Sequence, residues 1–269
     1  MNISINKPCV LGFVSDLYFS TRIDSVADRL GFEFVTIEEV EYFQSKLLSS
    51  EFHGLNIGIK GSLLEVISNL KPVLIIFDLN NHSIPWEDWI KLISIDPATR
   101  RIPIISYSSH KDLTAIDSAK KNGAKVVFAR SRFISDLPNI ISKFANLPDV
   151  DGIESACQDP LDGRGIIGLE KFNQGRYFEA HEYLEQAWME DNSVGRNLYR
   201  ALLQVAVAYY QISRGNFRGA FKMFLRLRQW LDHLPNQCRG VNIAKLREEV
   251  RLVHEKLIDL GSERIGEFD

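Results

Sequence analysis

Short apolar runs alternate with stretches of helical periodicity in the first half of the chain. Five runs have the composition of buried parallel strands: residues 9–15, 32–37, 73–78, 102–108 and 125–129. Helical spacing fills the sequence between them, and Gly31, Pro72 and Gly123 end three of these helical segments. A final helix is predicted within residues 134–145. The alternation predicts an α/β doubly wound five-stranded parallel sheet over residues 1–145.

The second half of the chain has only helical periodicity. Helices are predicted at residues 165–174, 177–189, 195–213, 217–233 and 242–260. The segments GRYFEA (175–180) and GNFRGA (215–220) repeat one order of glycine, aromatic residue and alanine. This weak repeat resembles a tetratricopeptide-type helical hairpin. Two units are too few for a solenoid, so we expect a compact all-α helical bundle over residues 165–269.

Residues 146–164 separate the two halves. They are rich in Asp, Gly and Pro and have no sustained hydrophobic period. This composition is typical of a linker. The sequence therefore predicts two domains, residues 1–145 and 165–269, joined by a linker over 146–164.

Composition narrows the class of protein. Apolar residues make up 45% of the chain and charged residues 25%, as in a globular protein, and the net charge of −3 argues against nucleic-acid binding driven by bulk electrostatics. The N-terminus lacks the pattern of a signal peptide, and no apolar stretch is long enough for a membrane span. Cys9, Cys157 and Cys238 have no metal-ligand spacing. We therefore expect three free thiols in a reducing cytoplasm and no membrane association.

Polar residues follow four of the predicted strands, where parallel sheets bind ligands. Asp16 follows the first strand, Asp78 and Ser108 end the third and fourth, and Arg130 follows the fifth. With the segments VSD, IIFDLN, IPIISYS and GAKVVFARSRF, this order resembles the receiver domain of response regulators over about residues 8–145. The resemblance implies a flavodoxin-like strand order. It also implies a phosphoacceptor at Asp78, a metal-binding acid at Asp16 and a phosphate-binding hydroxyl at Ser108.

The sequence departs from the receiver pattern at several positions. Ser15 stands where the family has the other acid of a metal-binding pair, and Arg130 stands at the lysine position without a following proline. Arginine keeps the charge but differs in reach and geometry. Residues 38–60 also form a longer connection than the family usually has. We therefore expect a degenerate receiver that is not phosphorylated.

The segment FEAHEYLEQAW (178–188) is predicted to be helical and combines a histidine with several carboxylates. Helical spacing puts His181 and Glu185 on the same side as Trp188, with Glu182 rotated away. Arg200 and Gln204 lie four residues apart on the next helix, where Gln204 interrupts an apolar sequence.

Three interpretations of this segment remain open. His181, Glu185, Gln204 and Arg200 could form a buried network that fixes the helix register. A metal site is a second interpretation, although two ligands are too few and the second histidine of HExxH is missing. A polar pocket for a small molecule or a peptide is the third.

A second resemblance covers about residues 165–235. An aromatic-x-x-x-HE-x-x-E-x-x-W helix, a Leu-Gln pair and an RGN-x-x-GA turn resemble the bacterial family of domain of unknown function 309. The matching residues are Tyr177, His181, Glu182, Glu185, Trp188, Leu203, Gln204, Arg214, Gly215, Asn216, Gly219 and Ala220. The resemblance implies an all-helical fold and no established activity.

Together these features predict a non-catalytic regulatory or scaffolding protein. A pseudo-receiver is coupled to a helical domain that binds a protein partner or a small ligand. The alternative is a metal-dependent hydrolase that uses the HExxE helix. We expect no catalytic residue, no cofactor, no metal and no nucleic-acid partner, and a homo-oligomer remains open.

Overall fold

The computed structural model describes residues 7–42 and 58–268. Within those ranges the chain divides into two compact units, one formed by residues 7–42 and 59–147 and the other by residues 148–268. Most of the predicted long connection over 38–60 lies outside the described residues.

The N-terminal unit is built on a five-stranded parallel sheet. Its strands are β1 (Cys9–Phe13), β2 (Glu33–Thr36), β3 (Leu74–Asp78), β4 (Ile104–Ser108) and β5 (Val126–Ala129). All neighbours are parallel and the order is β2-β1-β3-β4-β5. This is the flavodoxin-like order to which receiver domains belong, as predicted. β1, β3 and β4 are buried along their whole length, which explains their unbroken apolar sequences.

Helices cover both faces of this sheet. They are α1 (Leu17–Arg29), α2 (Gly58–Leu70), α3 (Trp86–Ile95), α4 (Leu113–Asn122), α5 (Arg130–Ser135) and α6 (Leu137–Phe144). Two separate apolar cores result, one including Phe77 and Trp89 and the other Ile76 and Phe133. Helical structure is interrupted at Asp136, between α5 and α6. Pro138, which cannot donate a backbone hydrogen bond, follows in the first turn of α6.

The second unit is mainly helical. It contains α7 (Val150–Ala156), α8 (Gly163–Asn173), α9 (Tyr177–Glu190), α10 (Asn197–Ser213), α11 (Phe217–Leu231) and α12 (Ile243–Leu260), with 3-10 turns at Val194–Arg196 and Ile265–Glu267. A ribbon of two short strands, β6 (Gln237–Cys238) and β7 (Val241–Asn242), lies in the connection between α11 and α12. No helix in the described ranges is long and apolar enough to cross a membrane.

The repeated glycine turns have the same backbone geometry. Gly175 and Gly215 have φ values of 74° and 66°, in the left-handed region that favours glycine. In each turn the residue after the glycine donates its N–H to a carbonyl five residues earlier, which closes the end of the preceding helix. Ala180 and Ala220 are both fully buried. Each copy of the sequence repeat is therefore a glycine turn that joins two consecutive helices.

The segment over 146–164 differs from the predicted linker. It contains α7, which begins at a cap where the Asp149 carboxylate accepts a hydrogen bond from the Gly152 N–H. Ile153 is buried, and the residues from 148 onward belong to the second unit. The order of this segment comes from a cap and from distant contacts rather than from a periodic apolar face, so hydrophobic periodicity did not indicate it.

Candidate functional site

Asp78 and Arg130 meet at the carboxyl end of the sheet. Asp78 ends β3 and is 1% exposed. Its Oδ2 and Oδ1 lie 3.2 Å and 3.4 Å from Nη2 of Arg130, and Oδ1 accepts a hydrogen bond of 3.0 Å from the Asn80 N–H. The Arg130 guanidinium also lies over the ring of Phe19, with Cζ 5.1 Å from the ring centre. The fold therefore brings the acid and the arginine together, as the sequence predicted. One guanidinium nitrogen of Arg130 lies within hydrogen-bond distance of both carboxylate oxygens of Asp78.

The surroundings of Asp78 disfavour its charged form. Burial raises the pKa of Asp78, although the Asn80 N–H and the Arg130 charge act in the opposite direction. Tyr107 lies opposite Asp78 in the parallel register of β3 and β4. Burial, and then the charge of Asp78, raise the pKa of this tyrosine as well. Arg130 is thus a counter-charge that only partly offsets the cost of burying the carboxylate.

Asp16 and Ser108 form no hydrogen bond with Asp78 or Arg130 in the described ranges. Asp16 is the N-cap of α1, where Oδ1 accepts hydrogen bonds from the backbone N–H groups of Tyr18 (3.0 Å) and Phe19 (3.4 Å). Ser108 is fully buried at the end of β4, and its hydroxyl has no hydrogen-bond partner within the described residues. Of the four predicted residues, only Asp78 and Arg130 are joined by a hydrogen bond in the described ranges.

We expect Asp78→Asn to stabilise the protein at neutral pH. Because the folded pKa is raised, the folded chain holds its proton more tightly than the unfolded chain, so the cost of the charge grows as the pH rises above the ordinary value of 3.8. Removing that charge should raise the free energy of unfolding at pH 7, and the gain should disappear as the pH falls to the ordinary aspartate pKa of 3.8. Urea unfolding at both pH values measures this, with the exposed Asp117→Asn as a matched control. A loss of stability at neutral pH would show that the ion pair with Arg130 outweighs the burial cost.

The HExxE segment lies on α9 and is only partly buried. His181 and Glu185 are half-buried, Glu182 is exposed, and the His181 ring packs 6.2 Å from that of Phe178. Gln204 is 5% exposed, and its Oε1 has no partner within the described residues. No hydrogen bond between described residues joins His181, Glu185 and Gln204. These three members of the predicted network are therefore not joined to one another by hydrogen bonds in the described ranges, and two of them, His181 and Glu185, are partly exposed to water.

Arg200 lies over two aromatic rings, which the sequence did not indicate. Its Cζ lies 4.6 Å from the ring centre of Trp188 on α9 and 4.3 Å from that of Trp230 on α11. Arg196, one turn earlier, also lies over Trp188 at 5.0 Å. The arginines and tryptophans form one stack across three helices. The spacing of Arg196 and Arg200 by four residues was visible in the sequence, but the identity of their aromatic partners was not.

Arg239 is a buried residue that sequence reasoning missed. It lies in the turn between β6 and β7 with a φ of 50°. Its Nη1 lies 2.8 Å from Oδ2 of Asp191 and 3.1 Å from the Tyr199 hydroxyl, and Nη2 donates to Ser193 Oγ at 3.1 Å. Its Nε donates to the Ala156 carbonyl at 3.1 Å. This one side chain ties the ribbon to α7, to α10 and to the connection between α9 and α10.

A disulfide lies next to Arg239 and corrects the expectation of three free thiols. Cys157 and Cys238 are bonded, with their Cα atoms 4.4 Å apart although 81 positions separate them in sequence. Cys9 is free and buried in β1. The expectation was wrong for two cysteines because their proximity arises only when the ribbon folds back onto the end of α7.

The described part of the chain contains no group of three His, Cys, Asp or Glu side chains placed to hold a metal ion. His181 and Glu185 therefore have no third ligand of these types near them within those ranges. The chemistry that these units display is the pairing of charges and the stacking of cations on aromatic rings.

Comparisons with known sequences identify part of the helical unit. The family model described as domain of unknown function (DUF309) matches residues 166–223. An uncharacterized protein of Aquifex aeolicus is 27% identical over 96 residues, which are 35% of this chain and 27% of that protein. The uncharacterized protein YpuF of Bacillus subtilis is 34% identical over 94 residues, which are 33% of this chain and 53% of YpuF. The chain thus spans only part of the length of both relatives.

Solved structures resemble the N-terminal half. A response regulator receiver domain from Rhodospirillum rubrum is 19% identical, with a TM-score of 0.40, and the match covers 52% of this chain and 95% of that structure. At such values the assignment of the fold rests on the observed strand order. The chain therefore joins a unit with the receiver strand order to a helical unit in which residues 166–223 match the family of domain of unknown function (DUF309).

Proposed function

We propose that this chain is a non-catalytic regulatory or scaffolding protein, in which a pseudo-receiver is coupled to a helical unit that binds a ligand or partner. The observation that carries the proposal is the contact of Arg130 with both oxygens of Asp78. A carboxylate that accepts a phosphoryl group needs a free oxygen and a metal cation beside it to neutralise the incoming charge. A guanidinium held at both oxygens covers the acceptor and supplies a permanent positive charge in place of the metal.

The residues around this pair support the same conclusion. Mg²⁺ is bound through several oxygen ligands, usually including carboxylates. Asp16 already caps α1, and Ser15 replaces the second acid of a receiver metal site. The N-terminal unit is therefore proposed to keep one state that does not depend on phosphorylation, and to act as a docking or positioning part of the chain.

Acetyl phosphate with Mg²⁺, followed by intact mass measurement, tests this part of the proposal. We expect no mass gain in the wild-type chain, because the acceptor is covered and the metal ligands are incomplete. The double substitution Ser15→Asp with Arg130→Lys restores the receiver pattern and is expected to take up one phosphoryl group, which Asp78→Ala then abolishes. A wild-type mass gain that Asp78→Ala removes would overturn the pseudo-receiver assignment.

The proposed binding role of the helical unit is supported by buried polar groups that have no hydrogen-bond partner in the described residues. Within the described residues, the Gln204 side-chain oxygen and the Trp188 indole N–H are buried and have no hydrogen-bond partner. Buried polar groups are normally paired, and an unpaired one costs stability. A bound ligand or partner would satisfy them. No observation in the described ranges favours the hydrolase alternative.

A further inference from the structure

We propose that Trp188, Arg196 and Arg200 form a binding site for an oxyanion, which is a carboxylate or phosphate group carried by the ligand of the helical unit. This inference rests on the binding role of that unit proposed above and names the chemistry of its ligand. It does not involve the N-terminal unit.

Arg200 adds a fixed positive charge beside Trp188. Its guanidinium lies between the rings of Trp188 and Trp230, at 4.6 Å and 4.3 Å from their centres. A guanidinium over an aromatic ring is attracted by the negative face of the ring, which restrains the side chain while it keeps its charge. A side chain fixed in this way loses little further entropy when it binds a ligand.

Arg196 adds a second positive charge at the same indole. Its Cζ is 5.0 Å from the centre of Trp188, and it directly precedes α10, where the helix dipole also favours an anion. The acids nearest in sequence are engaged elsewhere, since Glu190 pairs with Arg164 and Asp191 pairs with Arg239. Arg196 makes no ion pair with any described residue, so the fold brings two arginines to one ring without giving Arg196 a counter-charge.

Two buried donors at this place also lack acceptors. The indole Nε1–H of Trp188 and the Nε–H of Arg196 are buried and have no hydrogen-bond partner in the described part of the chain. Both groups can only donate. The site therefore needs a ligand that supplies acceptors and negative charge together, and a carboxylate or a phosphate does both.

The four tryptophans of the chain make a direct test simple, because each contributes one indole N–H signal to a nitrogen–proton correlation spectrum. The signal of Trp188 is assigned by its loss in Trp188→Phe. Sodium phosphate and sodium acetate are titrated separately, with sodium chloride at the same ionic strength as the reference. We expect a saturable shift of the Trp188 signal, with the signals of Trp86 and Trp89 unchanged. Tighter binding of phosphate would indicate a phosphorylated ligand, and tighter binding of acetate a carboxylate ligand.

Substitutions decide whether the arginines cause the shift. Arg196→Gln should weaken the preferred oxyanion at least about tenfold, whereas Arg218→Gln, an exposed arginine on α11, should leave the affinity unchanged. Arg196→Lys keeps the charge without the planar fork and should give an intermediate affinity, which covers the case in which Arg196→Gln does not fold.

The proposal is overturned if neither oxyanion moves the Trp188 signal more than chloride does. It is also overturned if Arg196→Gln or Arg196→Lys binds as tightly as the wild type. The pseudo-receiver assignment is judged separately, by the mass measurement with acetyl phosphate, so the failure of one is distinguishable from the failure of the other.

Discussion

Acidification from pH 7 to about pH 4 is expected to destabilise the helical unit by about 3 kcal/mol through one residue, His254. This histidine lies on α12 and is 3% exposed. Burial, and then the positive charge of Arg228, lower the pKa of His254 to about 3. The folded protein thus keeps the ring neutral over a range in which the unfolded chain protonates it.

The surroundings of the ring explain why it stays neutral. His254 lies 5.5 Å and 5.2 Å from the ring centres of Phe221 and Phe224, and its Nδ1 is 2.9 Å from Nη2 of Arg228. Because the guanidinium can only donate, Nδ1 accepts and the proton of the neutral ring is on Nε2. Nε2 has no partner among the described residues. A protonated ring would add a second positive charge beside Arg228 in an apolar environment.

The direction of the effect follows from the two pKa values. In the unfolded chain His254 becomes protonated below pH 6.5, its ordinary pKa. In the folded protein it becomes protonated only near pH 3. The neutral, buried His254 therefore contributes its full stability when the pH is above the unfolded-state pKa. This contribution is lost as the pH falls toward the folded-state pKa. The pKa of Asp191 is lowered from 3.8, so its contribution is lost only at lower pH and does not obscure this window.

Urea unfolding of the full chain between about pH 7 and pH 4 measures the loss. His254→Gln keeps an acceptor for Arg228 but cannot titrate, so the dependence of stability on pH should become much flatter. His110→Gln removes an exposed histidine of the N-terminal unit and should retain the wild-type dependence. An unchanged pH dependence in His254→Gln would show that the ring is not neutral and buried in solution.

Reduction of the disulfide between Cys157 and Cys238 is expected to lower the free energy of unfolding of the helical unit by about 2–4 kcal/mol. The bond closes a loop over a sequence separation of 81 and so removes many conformations from the unfolded chain. The reduced protein should still fold. The Arg239 N–H donates to the Cys157 carbonyl at 2.8 Å, and the side-chain bonds of Arg239 hold the same segments together.

Two cysteine variants separate this effect from general sensitivity to thiols. Cys238→Ser should have the stability of the reduced wild type and should not respond to reductant. Cys9→Ser should respond as the wild type does, because Cys9 is outside the disulfide and burial raises the pKa of its thiol to about 12. One reactive thiol is expected in the unfolded, unreduced chain. Three reactive thiols there would show that the bond does not form.

Much of the fold could be predicted because it depends on local sequence. β1, β3 and β4 were recognisable from unbroken apolar runs, since strands covered on both faces leave no polar alternation. The meeting of Asp78 and Arg130 was also predictable, because the carboxyl ends of parallel strands share one edge of the sheet. Their direct ion pair, in contrast, depends on the reach of one side chain.

The sequence by itself determined the five strands of the sheet, the longer helices, the glycines that end several of them and the strand ends that carry polar groups, but not α7 or the ribbon of β6 and β7. Those features depend on spacing of a few residues along the chain. Only the tertiary structure decided that Cys157 meets Cys238, that Arg239 is buried, and that His254 takes a hydrogen bond from a residue 26 positions away. It also left His181 and Gln204 without a hydrogen bond to each other, because helical spacing specifies the face on which a side chain lies but not the residue of another helix that it contacts.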